Sequence, residues 1–317
     1  MTPEDSRPRG RATPPLWAVA LVSTVAAAVL LALSLRHPGL RLVDFLSFTA
    51  RGERVLRGED LVHALYPVGY PFVLGLLQSA VDPLTAGRAL SLVGGVVAVA
   101  ATARWLGPVA GLFVLVQPGV LTFGATEGTD LLAVGLGLGA LAARSEDRPT
   151  VAGVLAGLAA LTRYTTAALL LALLVPTASG NRRSQIRDVG LGIAAFTVTT
   201  APHWATALLT GASLLPDQSR NMAIGASAPV HGLDLDTLLR LPQGLASAAP
   251  WVLSGPAVGI GIAALLALIL LPGKVRSRTG ITSADRLDAL RLGTWAIAHT
   301  TLVAVAFANT RLVLPSR

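Results

Sequence analysis

Apolar runs recur along this chain, and they constrain it more than any other feature. They fall at 16–35, 88–106, 108–123, 129–143, 150–162, 164–178, 189–209, 246–271 and 289–309. About 20 apolar residues are needed for an α-helix to cross the hydrocarbon of a bilayer. The shorter runs are read as tilted or re-entrant segments, with ends blurred by Gly and Pro. Backbone groups in lipid must bond within their own segment, so the expected fold is all-α. It is a polytopic transmembrane helical bundle of about nine spans. Composition agrees: 53% of the 317 residues are hydrophobic and 13% charged, against about a quarter charged in soluble domains.

The gaps between runs give an orientation. Arg7, Arg9 and Arg11 precede the first run, which is too long for a signal-peptide core and has no small-residue cleavage site after it. It is read as an uncleaved helix with its N-terminus in the cytoplasm. Threading the runs alternately puts Arg104, Arg144 and Arg148, then Arg182, Arg183 and Arg187, then Lys274, Arg276 and Arg278 on the inner side. Outer segments at 36–87, 126–130, 162–165 and 210–245 and the C-terminal tail are mixed in sign or nearly neutral. The alternation follows the positive-inside rule. Residues 1–15, rich in Pro and Arg, are read as a disordered cytoplasmic tail, and 16–317 as one transmembrane domain. Gly94-Gly95, Gly135, Gly137, Gly139 and the Gly153-x-x-x-Gly157 pair are read as close-packing positions between helices.

Other functions are excluded at this point. The net charge of +8 lies in the loops and forms no basic stripe interleaved with aromatics, so nucleic acid is not an expected partner. Without cysteine there are no disulfides, thiolate metal sites or thiol nucleophiles. The five histidines show no metal-ligand spacing.

Polar residues gather on the outer side. The first outer loop, 36–87, holds Asp44, Arg51, Glu53, Arg54, Arg57, Glu59, Asp60 and His63 and ends in the stiff aromatic segment Tyr66-Pro67-Val68-Gly69-Tyr70-Pro71. Short juxtamembrane helices are expected in it. Glu127 and Asp130 lie in one outer turn and Arg163 in the next. Arg88 stands where the second run enters and Arg311 where the last emerges. Ionisable groups at membrane depth are costly unless they pair or line a wet cavity. Arginines offer planar, permanently charged donors for phosphate oxygens, and a nearby carboxylate can take the proton of an attacking hydroxyl or amine. A lipid-linked sugar phosphate meets both demands. Plainer roles stand beside these: Asp44, Glu127 and Asp130 as helix-end residues, Arg163 as a structural partner of an acid, Arg88 and Arg311 as snorkelling anchors, and Tyr66–Pro71 as a rigid turn.

Taken in order, these segments resemble a family. Asp44 follows the first helix; then come Tyr66-Pro-Val-Gly-Tyr-Pro71, Arg88-Ala-Leu-Ser91, Thr126-Glu-Gly-Thr-Asp130 and Gly157-Leu-Ala-Ala-Leu-Thr-Arg-Tyr164. Thr210-Gly-Ala-Ser-Leu-Leu-Pro216 with Asn221, and Thr310-Arg-Leu-Val-Leu-Pro315, complete the series. The chain thereby resembles polytopic GT-C glycosyltransferases of the protein O-mannosyltransferase and aminoarabinose-transferase-like group, over roughly residues 16–315. The resemblance implies an integral membrane enzyme that passes a sugar from a polyprenyl-phosphate donor to a lipid, glycan or protein acceptor at the outer face, with inversion. It implies Asp44 as the base and Arg163 at the donor phosphate. The residue types on the same side add the expectation that Arg88 and Arg311 assist at the phosphate and that Glu127 or Asp130 orients the acceptor or a divalent cation. Tyr66, Pro67 and Tyr70 would shape the loop. No metal site or cofactor is assigned beyond that optional cation.

Two departures keep other readings open. The chain ends after its Arg-Leu-Val-Leu-Pro segment, where relatives continue, and Asp44-Phe-Leu-Ser lacks their Tyr-rich, acidic surroundings. The alternatives are a non-catalytic or truncated homologue, an envelope-assembly subunit, and a lipid or solute transporter. A transporter would favour charges near the bilayer midplane and internal repeats, and neither is evident.

Overall fold

A computed structural model describes residues 14–36, 44–62, 66–175, 182–210 and 287–295. All regular structure among them is helical: α1 (Leu16–Arg36), α2 (Asp44–Leu56), α3 (Gly69–Gln78), α4 (Pro83–Leu106), α5 (Pro108–Leu115), α6 (Pro118–Gly124), α7 (Asp130–Ser145) and α8 (Pro149–Thr162). A 3-10 turn (Tyr164–Ala168), α9 (Leu169–Leu173), α10 (Arg182–Leu209) and a helical stretch over 287–295 follow.

Two of these helices, Leu16–Leu35 and Pro83–Leu106, are long and apolar enough to cross a membrane. In α1 every fourth residue is buried (Ala18, Val22, Ala26, Leu30 and Ser34), while Leu16, Trp17, Leu21, Leu31 and Leu35 face outward. A helix apolar all round with one buried stripe suits a lipid surround. Helices α7 and α8, with 16 and 14 residues, are shorter than a full span of about 20. Helix α10 has 28 residues but carries Thr, Pro202 and His203 along its length. The run at 246–271 and most of 289–309 lie outside the described residues, as do Arg311, Asn221 and His63.

Local chemistry sets the breaks. Asp82 caps α4 by accepting the Thr85 N–H at 3.0 Å, and Pro83 fills the first helical position. Gly107, at φ +106°, ends α4, and Pro108 opens α5. The run 108–123, read from the sequence as one span, divides into α5 and α6. Gln117 stands before Pro118 and is extended (φ −63°, ψ 132°), because a residue preceding proline is pushed out of the helical region. The run 164–178 similarly opens with a 3-10 turn, so that α9 has only five residues.

Helices α4, α7, α8 and α10 pack in series, with α1 and α5 against α4. Two crossings bring backbone against backbone. A Cβ on Gly135 would strike the Gly94 carbonyl oxygen, and one on Gly153 would strike that of Gly192. Such approach lets short helices gain dispersion contact along their backbones. Helices α2 and α3 pair as a hairpin across Gly52 and Gly75, and α3 docks on α4 and α8. The hairpin therefore sits at the end of the bundle where α4 and α7 begin and α8 finishes. At the opposite end Arg104 bonds Glu146 at 2.6 Å, tying the last turn of α4 to that of α7.

Candidate functional site

The hairpin end holds eight of the residues singled out from the sequence: Asp44, Tyr66, Pro67, Tyr70, Arg88, Glu127, Asp130 and Arg163. Thr129 precedes α7, Asp130 is its first residue, and Arg163 stands just past α8 in extended conformation (φ −152°, ψ 120°). That conformation turns the Arg163 side chain off the helix and back to α7. There Nη1 donates to an Asp130 carboxylate oxygen and to Thr129 Oγ1, the latter at 3.3 Å. Both partners of the ion pair are accessible, with side chains 43% and 35% exposed. The remaining donors of Arg163, Nε and Nη2, bond to no described residue.

The second pair lies deeper. Arg88 Nε is 3.8 Å from Glu127 Oε2, with side chains 16% and 0% exposed. The turn between them and the first pair is pinned from α4, where Ser91 Oγ donates to the Gly128 carbonyl at 3.1 Å. Tyr70 of α3 is fully buried, and its hydroxyl lies against the Gly128 backbone. Burial raises the phenol pKa, opposed by the Gly128 backbone and reinforced by the charges of Glu127 and Asp130, so the group stays protonated.

For Asp44 only the backbone is described: it opens α2. Its neighbour Phe45 is buried against Gly87, the residue before Arg88, where a Cβ would also approach Glu127. The start of α2 is thus held beside the Arg88–Glu127 pair. Tyr66, Pro67 and Tyr70 form the hairpin's inner wall. Phe48 meets Tyr66 and Tyr70 edge-on, with centroids 4.6 and 5.2 Å apart. No three His, Asp or Glu side chains come together to hold a metal among the described residues. The two acids are each next to an arginine instead.

Two features were not assigned from the sequence. Arg51, 2% exposed, is the clasp of the hairpin. Its Nη1 donates to the carbonyls of Tyr66 (2.6 Å) and Pro67 (3.2 Å), and its Nη2 to that of Asp60 (3.1 Å). Asp60 adopts the left-handed φ of +52°, which turns its carbonyl inward, and its carboxylate lies 3.5 Å from Arg51 Nε. Burial pushes the Arg51 pKa down and Asp60 opposes it. A helical-period reading of α2 would have marked Arg51, since Phe45, Phe48, Arg51 and Val55 share its buried face. Beside Arg163, the Tyr164 hydroxyl lies 3.0 Å from His203 Nε2, and Trp204 completes an aromatic cluster on α10. No local signal links positions 39 residues apart on separate helices.

No family model matches the chain, and neither curated proteins nor solved structures show a significant similarity to it.

Proposed function

We propose that the chain is a multi-pass membrane glycosyltransferase of GT-C type. It takes a sugar from a polyprenyl-phosphate donor and passes it to a lipid, glycan or protein acceptor at the outer face of the cytoplasmic membrane. The observation that carries the reading is the half-exposed Arg163, whose Nε and Nη2 bond to no described residue while Asp130 and Thr129 orient its Nη1. A guanidinium so held can meet two oxygens of a donor phosphate while the isoprenoid tail stays between helices.

In this scheme the acceptor oxygen or nitrogen attacks the anomeric carbon, and the bond from that carbon to the phosphate oxygen breaks. The electron pair leaves with the polyprenyl phosphate, where Arg163 stabilises the added charge. The acceptor proton passes to Asp44, and a single displacement inverts the anomeric centre. Glu127 and Asp130 act as anchors of Arg88 and Arg163 more than as bases, since each carboxylate already faces a cation. Tyr164 and Trp204 offer apolar ring faces beside the phosphate position, suited to a sugar.

One observation favours the second reading, a non-catalytic donor-binding homologue: both described acids of the site are already paired. The deciding experiment is sugar transfer by the purified protein in nanodiscs, with a panel of labelled polyprenyl-phosphate sugars, for wild type, Asp44→Asn and Arg163→Ala. Transfer that disappears in both variants at normal expression is the expected result. Full activity in Asp44→Asn overturns its role as base. Donor binding without turnover, dependent on Arg163, moves the assignment to the non-catalytic homologue.

A further inference from the structure

The end of the bundle away from the hairpin contains a buried cation that the proposed reaction does not use. Arg144, in the last turn of α7, is 1% exposed. Its Nε reaches the Leu173 carbonyl only at 3.5 Å, and neither Nη1 nor Nη2 has a hydrogen-bond partner among the described residues. The stretch 287–295 packs along α7, with Trp295 beside Gly137 and Leu292 in the shared core. That direction carries Arg291, also buried, toward Arg144. Arg291 bonds Asp288 at 2.8 Å, so this acid is engaged within its own helix. Asp147 and Asp188 are near enough to act on Arg144 through space, yet neither makes an ion pair with it. Asp188 instead pairs with Arg187 at 3.2 Å.

A buried lysine can relieve such a position by losing its proton, whereas a guanidinium does not ionise away in proteins. Its charge and its unused N–H groups therefore call for an acceptor. Water could accept from one nitrogen but brings no charge, and Asp147 and Asp188 act on Arg144 only through space, without filling its N–H groups. The two unpartnered nitrogens are the prongs of the guanidinium fork, the geometry that accepts two oxygens of one oxyanion. The surroundings favour phosphate: Arg182 and Arg183 stand at the same end, while Arg104, Arg148 and Arg187 there already face Glu146 or Asp188, and such basic residues concentrate anionic headgroups at a membrane surface.

We infer that Arg144, backed by Arg291, forms a second anion site for a phosphate group between α7 and the 287–295 helix, at the opposite end of the bundle from Arg163. The site is independent of the glycosyltransferase reading. Its phosphate comes either from a lipid headgroup entering from the bilayer or from a free phosphate compound entering from water.

The test measures thermal unfolding of the full chain in nanodiscs. One arm uses phosphatidylcholine alone and adds inorganic phosphate against chloride at equal ionic strength. The other replaces part of the phosphatidylcholine with phosphatidylglycerol and omits phosphate. Wild type is expected to gain on the order of 5 °C in at least one arm, and the responding arm identifies the source. The gain should persist in Arg148→Gln, which alters an exposed arginine of the same end, and in Arg163→Ala, which removes the other phosphate candidate. It should vanish in Arg144→Met. Should that variant fail to fold, Arg144→Lys keeps the charge without the fork and is expected to need about tenfold more phosphate or anionic lipid for the same shift. No gain in wild type in either arm, an equal gain in Arg144→Met, or an unchanged midpoint in Arg144→Lys overturns the inference.

Discussion

Glu127–Arg88 and Asp130–Arg163 use the same chemistry three residues apart in one turn, yet they sit in different dielectric surroundings. Glu127 is sealed under Phe45 and the start of α4, and its arginine is mostly covered. Asp130 and Arg163 stand at the mouths of α7 and α8 with more than a third of each side chain in contact with solvent. Buried pairs gain little over an apolar replacement but cost several kcal/mol when only one partner is removed. Exposed pairs contribute about 0–1 kcal/mol and are easily opened. Similar charges therefore differ in role: the deeper pair fixes how α4 meets the turn, and the shallower one is the easier to open.

The largest test breaks the deep pair. Arg88→Met should lower stability by about 3 kcal/mol, because it withdraws the arginine from a fully buried carboxylate. Adding Glu127→Gln should recover part of that loss, so the double variant is less destabilised than the sum of the singles. Denaturant unfolding in detergent measures all three. Strict additivity would mean that the two groups do not interact.

Next comes the clasp of the α2–α3 hairpin. Arg51→Met removes charge-assisted bonds to the carbonyls of Asp60, Tyr66 and Pro67, and about 2–3 kcal/mol should be lost. The unfolding curve should shift accordingly, with faster proteolysis between α2 and α3. A shift under about 0.5 kcal/mol would mean that glycine packing across Gly52 and Gly75 holds the hairpin without it.

Arg163→Ala should behave in the opposite way. Its stability loss should stay within about 1 kcal/mol, while transfer falls on the order of 100-fold. Parallel unfolding and transfer assays separate the two effects. If the variant loses as much stability as Arg88→Met, the shallow pair is structural and the contrast between the pairs fails.

How far the sequence revealed this arrangement follows from what kind of signal each part leaves. Helix ends are written locally: Asp82-Pro83 before α4, Gly107-Pro108 after it, and Gln117-Pro118 inside the run taken for one span. The acid turn and Arg163 could be assigned to one side because alternating spans put those gaps there. Which acid meets which arginine depends on the register between α4, α7 and α8. That register is set by Gly94 against Gly135 and by other close approaches whose partners are dozens of residues apart. Arg51 was visible by period but hidden by company, since a run crowded with charges reads as solvated although one of its arginines lies on the apolar face of α2.

The smallest effect is expected at Asp82, and it asks whether the Arg88 end of α4 is held by its own cap or by packing. The Asp82 side chain is in water, and its bonds to Thr85 depress its pKa below the ordinary aspartate value. A group with a lowered folded pKa stabilises above the unfolded value and loses that contribution as pH falls through the folded one. Asp82→Ala should therefore lower Tm slightly at neutral pH, and the gap to wild type should narrow as acid protonates the cap. Asp82→Asn keeps an acceptor for the Thr85 N–H and should fall between them. Because Arg88 is also anchored by Glu127 and by the packing of Phe45 on Gly87, neither variant should disturb the deep pair. The coupling measured between Arg88 and Glu127 should be the same with and without the cap. If it weakens when Asp82 is lost, the first turns of α4 act as one unit with the turn that bears both acids, and the two pairs cannot be assigned separate roles.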